Sequence, residues 1–302
     1  MQIDTINVTQ KIVDFIRIKL DEYRRDGVII GMSGGIDSAL VANLLVKALG
    51  PSKILALIIP ERDSHPQSKR DALVEIHRLG IPYRVVKIKP VLKKLGVYSN
   101  MPLQILVFRR LKEIVVRSQL ASRARAMGDV PFRASLLGTR DLGKQQNMVD
   151  KSLAYIRVKH RTRMVVLYYY AELENRLVIG TTNRSEALTG YVVKWGDNVA
   201  DIEPILPLYK TQVYQLAEYL HVSREIISKP PSPDLLPGVV DEAALGITYA
   251  NMDKILWGFD LGWEDERIRD EFKVTVKQIE HVRGLMEASE HLRTLPPFPD
   301  LS

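Results

Sequence analysis

The chain has 302 residues, a formal net charge of +7, 46% hydrophobic and 26% charged residues, and no cysteine. That length accommodates one large α/β domain or a domain with an appendage, and the composition is that of an ordinary globular protein. The lack of cysteine excludes a disulfide framework, a thiolate metal site, a thiol nucleophile, a persulfide carrier and a cysteine-type glutaminase within these residues. The first ten residues, MQIDTINVTQ, are polar and do not read as a secretory signal, and no apolar run approaches the ~20 residues of a membrane helix. A cytoplasmic protein is expected.

In chain order, Thr9–Tyr23 places Ile12, Val13, Ile16, Leu20 and Tyr23 on one face of a helix. Val28-Ile29-Ile30 is a short buried strand, Ser33–Ser38 a tight turn, and Ala39–Leu49 a helix by its apolar spacing. Lys53–Ile59 is a wholly apolar strand, and Ser64-His65-Pro66 supplies a cap and an N1 proline for a helix ending near Gly80. Tyr83–Ile88 reads as a third strand. From Leu92 to Asp150 the pattern changes. Leu103–Met127 reads as one basic helix, and Gly128–Asn147 is turn-rich and poorly periodic. A long helix over about Lys151–Leu173 and a strand at Leu177–Gly180 then resume the alternation. Strands alternating with helices predict an α/β fold, a doubly wound parallel sheet with helices on both faces. Residues 1–302 form a single domain on this reading, and 93–150 a basic, mainly helical insertion within it.

The positive charge is localised. Between Lys93 and Arg163 there are 16 Lys and Arg against four acids, so the rest of the chain is net acidic. Such a segment suits a polyphosphate ligand, a nucleic acid or an acidic surface, and equally a solvated helix face. Aromatic residues for base stacking are few there (Phe108, Phe132), which argues against nucleic acid. Arginines facing a polyphosphate ligand are the favoured reading. Deleting Leu103–Gly143 is then expected to raise substrate KM more than it affects folding.

The loop Gly31-Met32-Ser33-Gly34-Gly35-Ile36-Asp37-Ser38 carries the chemistry. A strand feeds a glycine turn that opens a helix, whose unpaired N–H groups and dipole make an anion site. Gly34 and Gly35 allow close backbone approach, and Ser33 and Ser38 add hydroxyl donors. Asp37 would repel a bound phosphate unless a cation lies between, so it is read as a Mg²⁺ ligand. No Gly-Lys-Ser/Thr closes the loop, so it is not the Walker type. It resembles the pyrophosphate-binding loop of the N-type ATP pyrophosphatases.

Downstream, Thr181-Thr182-Asn183 follows a strand end, where ligands sit in open α/β sheets. Glu186 offers a second carboxylate. Lys194, Asp197 and Asp201 flank a glycine turn, and Lys210 opens the next helix. Taken singly, Glu186 is equally a first-turn helix acid and Lys210 a solvated lysine. With the Arg157–Arg163 run, Lys229–Leu235, Asp241-Glu242 and Leu245–Tyr249, the whole closely resembles the ammonia-dependent NAD⁺ synthetases.

That resemblance implies a ligase that amidates deamido-NAD⁺ with ammonia through an acyl-adenylate, releasing AMP and pyrophosphate. Gly31–Ser38, Thr181, Lys210 and Ser232 would hold ATP, and Asp37 and Glu186 would hold Mg²⁺. Asp37 and Lys210 would be catalytic. Arg161, Lys194, Asp197, Asp201 and His291 would contact the dinucleotide. It implies a homodimer, with ammonia free or from a separate glutaminase. The chain departs from the family pattern in its 93–150 segment, in His291-Leu292-Arg293 where His-Lys-Arg is usual, and in Gly196-Asp197-Asn198-Val199. Two rivals therefore stand beside it: a related enzyme amidating a different carboxylate, and an RNA-acting one adenylating a tRNA base.

Overall fold

The computed structural model describes residues 1–99, 113–114, 118, 130–137, 146–232 and 238–299. Helix α1 (Thr5–Glu22) starts where the Asp4 side chain accepts the Asn7 N–H at 3.0 Å, and buries Ile12, Val13, Ile16 and Leu20, as their spacing predicts, while Tyr23 caps its end and is exposed. Strand β1 (Gly27–Gly31) leads through the glycine turn into α2 (Ile36–Leu49). Strand β2 (Ile54–Ile58) is followed by α3 (Pro66–Leu79), with Pro66 at its first turn and Gly80 in the left-handed conformation at its end. Strand β3 spans only Tyr83–Val85, because the chain turns at Ile88 into α4 (Lys89–Lys94) rather than continuing the ladder.

Of the expected basic helix Leu103–Met127, all but three residues lie outside the described residues. The stretch expected to be turn-rich contains a helix, α5 (Pro131–Leu137), and the long helix α6 begins at Gln146 and runs to Leu173. Leu136 of α5 is 7% exposed and packs with C-terminal helices, so part of the stretch contributes to the core. Periodicity missed α5 because a seven-residue helix offers too few turns to show a face.

Strand β4 (Arg176–Ile179) completes a parallel sheet of order β3-β2-β1-β4 among the described residues. Residues alternate across it. Val28, Ile30, Ile54, Ala56, Leu177 and Ile179 face α1, α2, α3 and the later helix α8 (Lys210–Tyr219). Ile29, Leu55, Leu57 and Val178 face α4 and α6. Both faces of β1, β2 and β4 are covered, as their apolar runs require, while the edge strand β3 is exposed along its length. The order reverses between β1 and β4, so the carboxyl ends of these two strands splay into a crevice.

The helices between and after complete the molecule: α7 (Arg184–Thr189), α9 (Arg224–Ile227), α10 (Asp241–Leu245), α11 (Tyr249–Asp260), α12 (Asp265–Phe272), α13 (Val276–Ala288) and α14 (Glu290–Arg293). Helices α5 and α10–α13 build their own core around Leu245, Met252, Leu256, Ile268 and Val282. Asp253 of α11 ties that core to the sheet layer. Buried, it accepts from Ser185 Oγ at 2.5 Å and from the Thr211 N–H at 2.7 Å, fixing the starts of α7 and α8.

Candidate active site

The β1–α2 turn is held by its own hydroxyls. Ser33 Oγ and Ser38 Oγ lie 3.0 Å apart, Gly35 N–H donates to Ser33 Oγ at 3.1 Å, and Ser38 Oγ donates to the Gly35 carbonyl at 3.0 Å. Gly34 has φ +76° and sits against α3 so closely that a Cβ there would lie 2.1 Å from the Ser68 carbonyl oxygen. Only glycine satisfies both conditions. The first turn of α2 is thereby aimed into the crevice with Asp37 on it.

Asp37 meets residues from β4 onward. Lys210 Nζ donates to Asp37 Oδ2 at 2.5 Å and to Glu186 Oε1 at 3.3 Å, and Asn183 Nδ2 donates to Asp37 Oδ1 at 3.0 Å. Asn183 caps α7: its Oδ1 accepts the Glu186 N–H at 3.0 Å, while Glu186 Oε2 accepts the Asn183 N–H at 3.4 Å. Glu186 is therefore both the first-turn helix acid and a member of the site. Lys210 is 1% exposed. Burial alone would strip its proton, but Asp37, Glu186 and the nearby Asp241 hold it charged and raise its pKa. Burial raises the Glu186 carboxyl, against the pull of Lys210. Asp241 is raised by burial too, and it accepts from the Tyr191 and Tyr249 hydroxyls at 3.2 and 3.1 Å.

This cluster lies in a cleft of about 530 Å³. Gly31, Met32, Ser33, Gly35, Ile36, Asp37, Thr181, Glu186, Asp197, Lys210 and Ser232 line it. Gly34 and Ser38 shape the loop from behind. The other residues singled out in the sequence stand elsewhere. Arg161 donates from Nε and Nη2 to the Lys194 carbonyl at 3.3 and 3.2 Å, and Lys194 Nζ donates to the carbonyls of His291 and Thr294 at 2.5 and 3.0 Å. Those three form a second, exposed group in which His291 contributes its backbone. Asp201 accepts the Val178 N–H at 2.7 Å and the Tyr168 hydroxyl at 3.3 Å, anchoring β4.

Sequence reasoning quoted the motifs that hold Asn183, His160, Arg163, Asp241 and Tyr249 without giving these residues individual roles, and it missed the cleft residue Glu61. The capping pattern Asn-x-x-Glu was the available signal for Asn183. Nothing local marks Asp241, which arrives from 204 residues beyond Asp37. His160 lies with Nδ1 3.3 Å from Asp197 Oδ2, and burial lowers its pKa despite that neighbour.

Among the described residues no three His, Cys, Asp or Glu side chains converge as a preformed metal cage. Two carboxylates opening on an anion site do fit Mg²⁺, which takes one or two carboxylates together with substrate phosphates. Asp37 and Glu186 meet at the one ammonium of Lys210, so two carboxylates stand side by side where such a cation would bind.

A family model described as NAD synthase matches residues 8–135 and 139–296. The "NH(3)-dependent NAD(+) synthetase" of Thermotoga maritima is 43% identical over 284 residues, covering 94% of this chain and 96% of the relative. That of Methanocaldococcus jannaschii is 38% identical over 294 residues, covering 97% and 96%. Among solved structures, NMN synthetase from Francisella tularensis superposes with a TM-score of 0.73 at 29% identity, covering 99% and 100% of the two chains. The NH3-dependent NAD synthetase from Campylobacter jejuni, in complex with the nitrate ion, gives 0.67 at 26% identity, covering 99% and 100%.

Proposed function

This chain belongs to the NAD synthase family, and from its site we infer how it amidates deamido-NAD⁺ with ammonia at the expense of ATP. The enzyme is a ligase that forms a C–N bond, with ATP as co-substrate. The observation that carries the mechanism is the junction of Asp37, Glu186 and Lys210 at the opening of α2. The loop from Gly31 to Ser38 binds the ATP phosphates through its backbone N–H groups, and Thr181, Lys210 and Ser232 border the rest of the nucleotide. Asp37 and Glu186 would hold Mg²⁺, which when bound screens the phosphates and polarises them toward attack.

The nicotinate carboxylate attacks the α-phosphorus, the α–β bond breaks, and pyrophosphate leaves with the bond's electron pair. Lys210 stays protonated because three carboxylates surround it, so it serves as a fixed charge rather than as a proton donor. Positioning and charge stabilisation supply the rate. Ammonia then adds to the acyl-adenylate carbonyl, AMP departs with the C–O electron pair, and the surplus proton on nitrogen passes to water. Arg161, Lys194, Asp197, Asp201 and His291 are assigned to the dinucleotide. The ammonia is proposed to be free or to come from a separate glutaminase.

No helix among the described residues is long and apolar enough to cross a membrane, and a cytoplasmic site is proposed. A homodimer is proposed as well. Val165, Tyr169 and Leu173 are 59%, 61% and 63% exposed at i, i+4 and i+8 on α6, an apolar stripe left open to solvent. Phe132, considered above for base stacking, packs edge-on against Tyr191 at 5.0 Å and so disfavours the RNA rival.

The likeness to an NMN synthetase favours one second reading, a mononucleotide in place of the dinucleotide. Measuring AMP and pyrophosphate release from ATP, Mg²⁺ and ammonium tests both. Release that depends on deamido-NAD⁺ and yields NAD⁺ supports the main reading. Release with nicotinate mononucleotide alone replaces it, and release driven by RNA overturns it.

A further inference from the structure

Lys229 begins the segment whose Pro230, Pro231 and Ser232 line the cleft. Its ammonium lies 3.3 Å from the Gly34 carbonyl oxygen, 3.3 Å from Ser68 Oγ and 3.1 Å from Asp71 Oδ2. Three N–H bonds thus meet three acceptors. Asp71 is a firm anchor: it is 5% exposed, and its other oxygen accepts from Gln67 Nε2 at 2.7 Å. A trans peptide points its C=O and N–H in opposite directions. Holding the Gly34 carbonyl toward α3 therefore turns the Gly35 N–H away from α3, to where Ser33 Oγ meets it at 3.1 Å. Gly34 has a φ of +76° and no Cβ, so no side-chain sterics of its own hold the peptide that follows it.

We propose that Lys229 is a positioning residue for the phosphate loop, fixing the Gly34–Gly35 amide so that its N–H is presented on the side where the ATP phosphates bind. The assignment rests on the reading of this loop as the ATP site. It places the lysine's effect on phosphate affinity and not on the ammonia step.

The test compares the full-length wild type with Lys229→Met, Lys229→Arg and Asp71→Asn. KM for ATP, deamido-NAD⁺ and ammonium is measured, with inorganic pyrophosphate as product inhibitor. Lys229→Met is expected to raise KM for ATP and Ki for pyrophosphate by about tenfold to a hundredfold, the effect of losing a charged hydrogen bond. The expected kcat and ammonium KM stay close to wild type, the pattern of lost ground-state binding. Lys229→Arg recovers part of the affinity, and adding Asp71→Asn to Lys229→Met costs little more because both break one contact. Should Lys229→Met not fold, Asp71→Asn alone carries the same expectation at smaller size. Unchanged ATP KM and pyrophosphate Ki, or a fall confined to kcat, overturns the proposal. A wild type that forms no NAD⁺ sinks the functional reading instead, and calorimetric titration with pyrophosphate still decides the role of the lysine.

Discussion

Lys210 is the residue on which the site's charge turns. It is buried, it meets Asp37 at 2.5 Å, and it stays charged only because carboxylates surround it. Lys210→Ala is expected to lower kcat and kcat/KM together by about a hundredfold to a thousandfold, as for a lost transition-state charge contact. A pure KM effect in steady-state kinetics would make it a ground-state binder. Asp37→Asn should abolish pyrophosphate release while the far-UV circular dichroism stays native, since Asp37 faces the cleft rather than the core. Glu203 gives a different kind of prediction. Its carboxyl accepts the Thr182 N–H and Oγ–H, both at 3.1 Å, and burial pushes it up to about 7. The folded state then binds this proton more tightly than the unfolded chain does. Stability should fall as pH rises from about 4.5 through 7, by up to about 3 kcal/mol. Urea melts at pH 5 and pH 8 should show that fall in the wild type and a flatter profile in Glu203→Gln.

At the scale of elements, α6 is locked to the β2–α3 connection by a buried network. Lys159 is 0% exposed and donates to Glu61 Oε1 at 2.8 Å and Asp63 Oδ2 at 2.9 Å. The Tyr155 hydroxyl donates to Asp63, and the Arg62 guanidinium lies 4.2 Å over the Tyr98 ring. Two cations and two carboxylates balance, so the network is tolerated out of water. Removing one partner strands a buried charge. Lys159→Met should destabilise the protein by about 3–5 kcal/mol, read from chemical denaturation. The same network shows that part of the basic segment is interior structure rather than a solvated face. Arg157, too, is turned inward, donating to the Ser135 carbonyl at 3.2 Å. A deletion reaching Gly143 would remove α5, with Leu136 and its Phe132–Tyr191 contact beside Asp241. It is expected to cost folding as well as substrate affinity.

For the whole molecule, the exposed α6 stripe is the feature that single-chain packing leaves unexplained. On the proposed homodimer, Tyr169→Lys with Val165→Glu is expected to give a monomer in sedimentation velocity, because charge on a small apolar interface is costly. A wild type that sediments as a monomer would remove the homodimer from the proposal. The C-terminal helices matter at this scale too. They reach the active site through Asp241 at the start of α10, which accepts from Tyr191, and through contacts such as Asp253 with Ser185 and Asp260 with Arg184. The two cores therefore need to dock for Lys210 to be aimed.

The sequence alone determined the strand–turn–helix of the Gly31–Ser38 loop and the parallel sheet. Both are written in local spacing, as apolar runs for strands and a glycine turn before a helix, whereas Glu186 and Lys210 stand out as candidates only through the family resemblance. The sequence carried that resemblance as well. Only the tertiary structure decided which partners those side chains have. Asn183, Asp241 and Lys229 join the site from positions far along the chain, through a crossover and a docked helical core that no local pattern encodes. The structure likewise gave α5 its place, because a short helix is held by what it packs against rather than by its own turns. Contacts between distant residues depend on the closed fold, so they become visible only once the sheet order and its reversal between β1 and β4 are known.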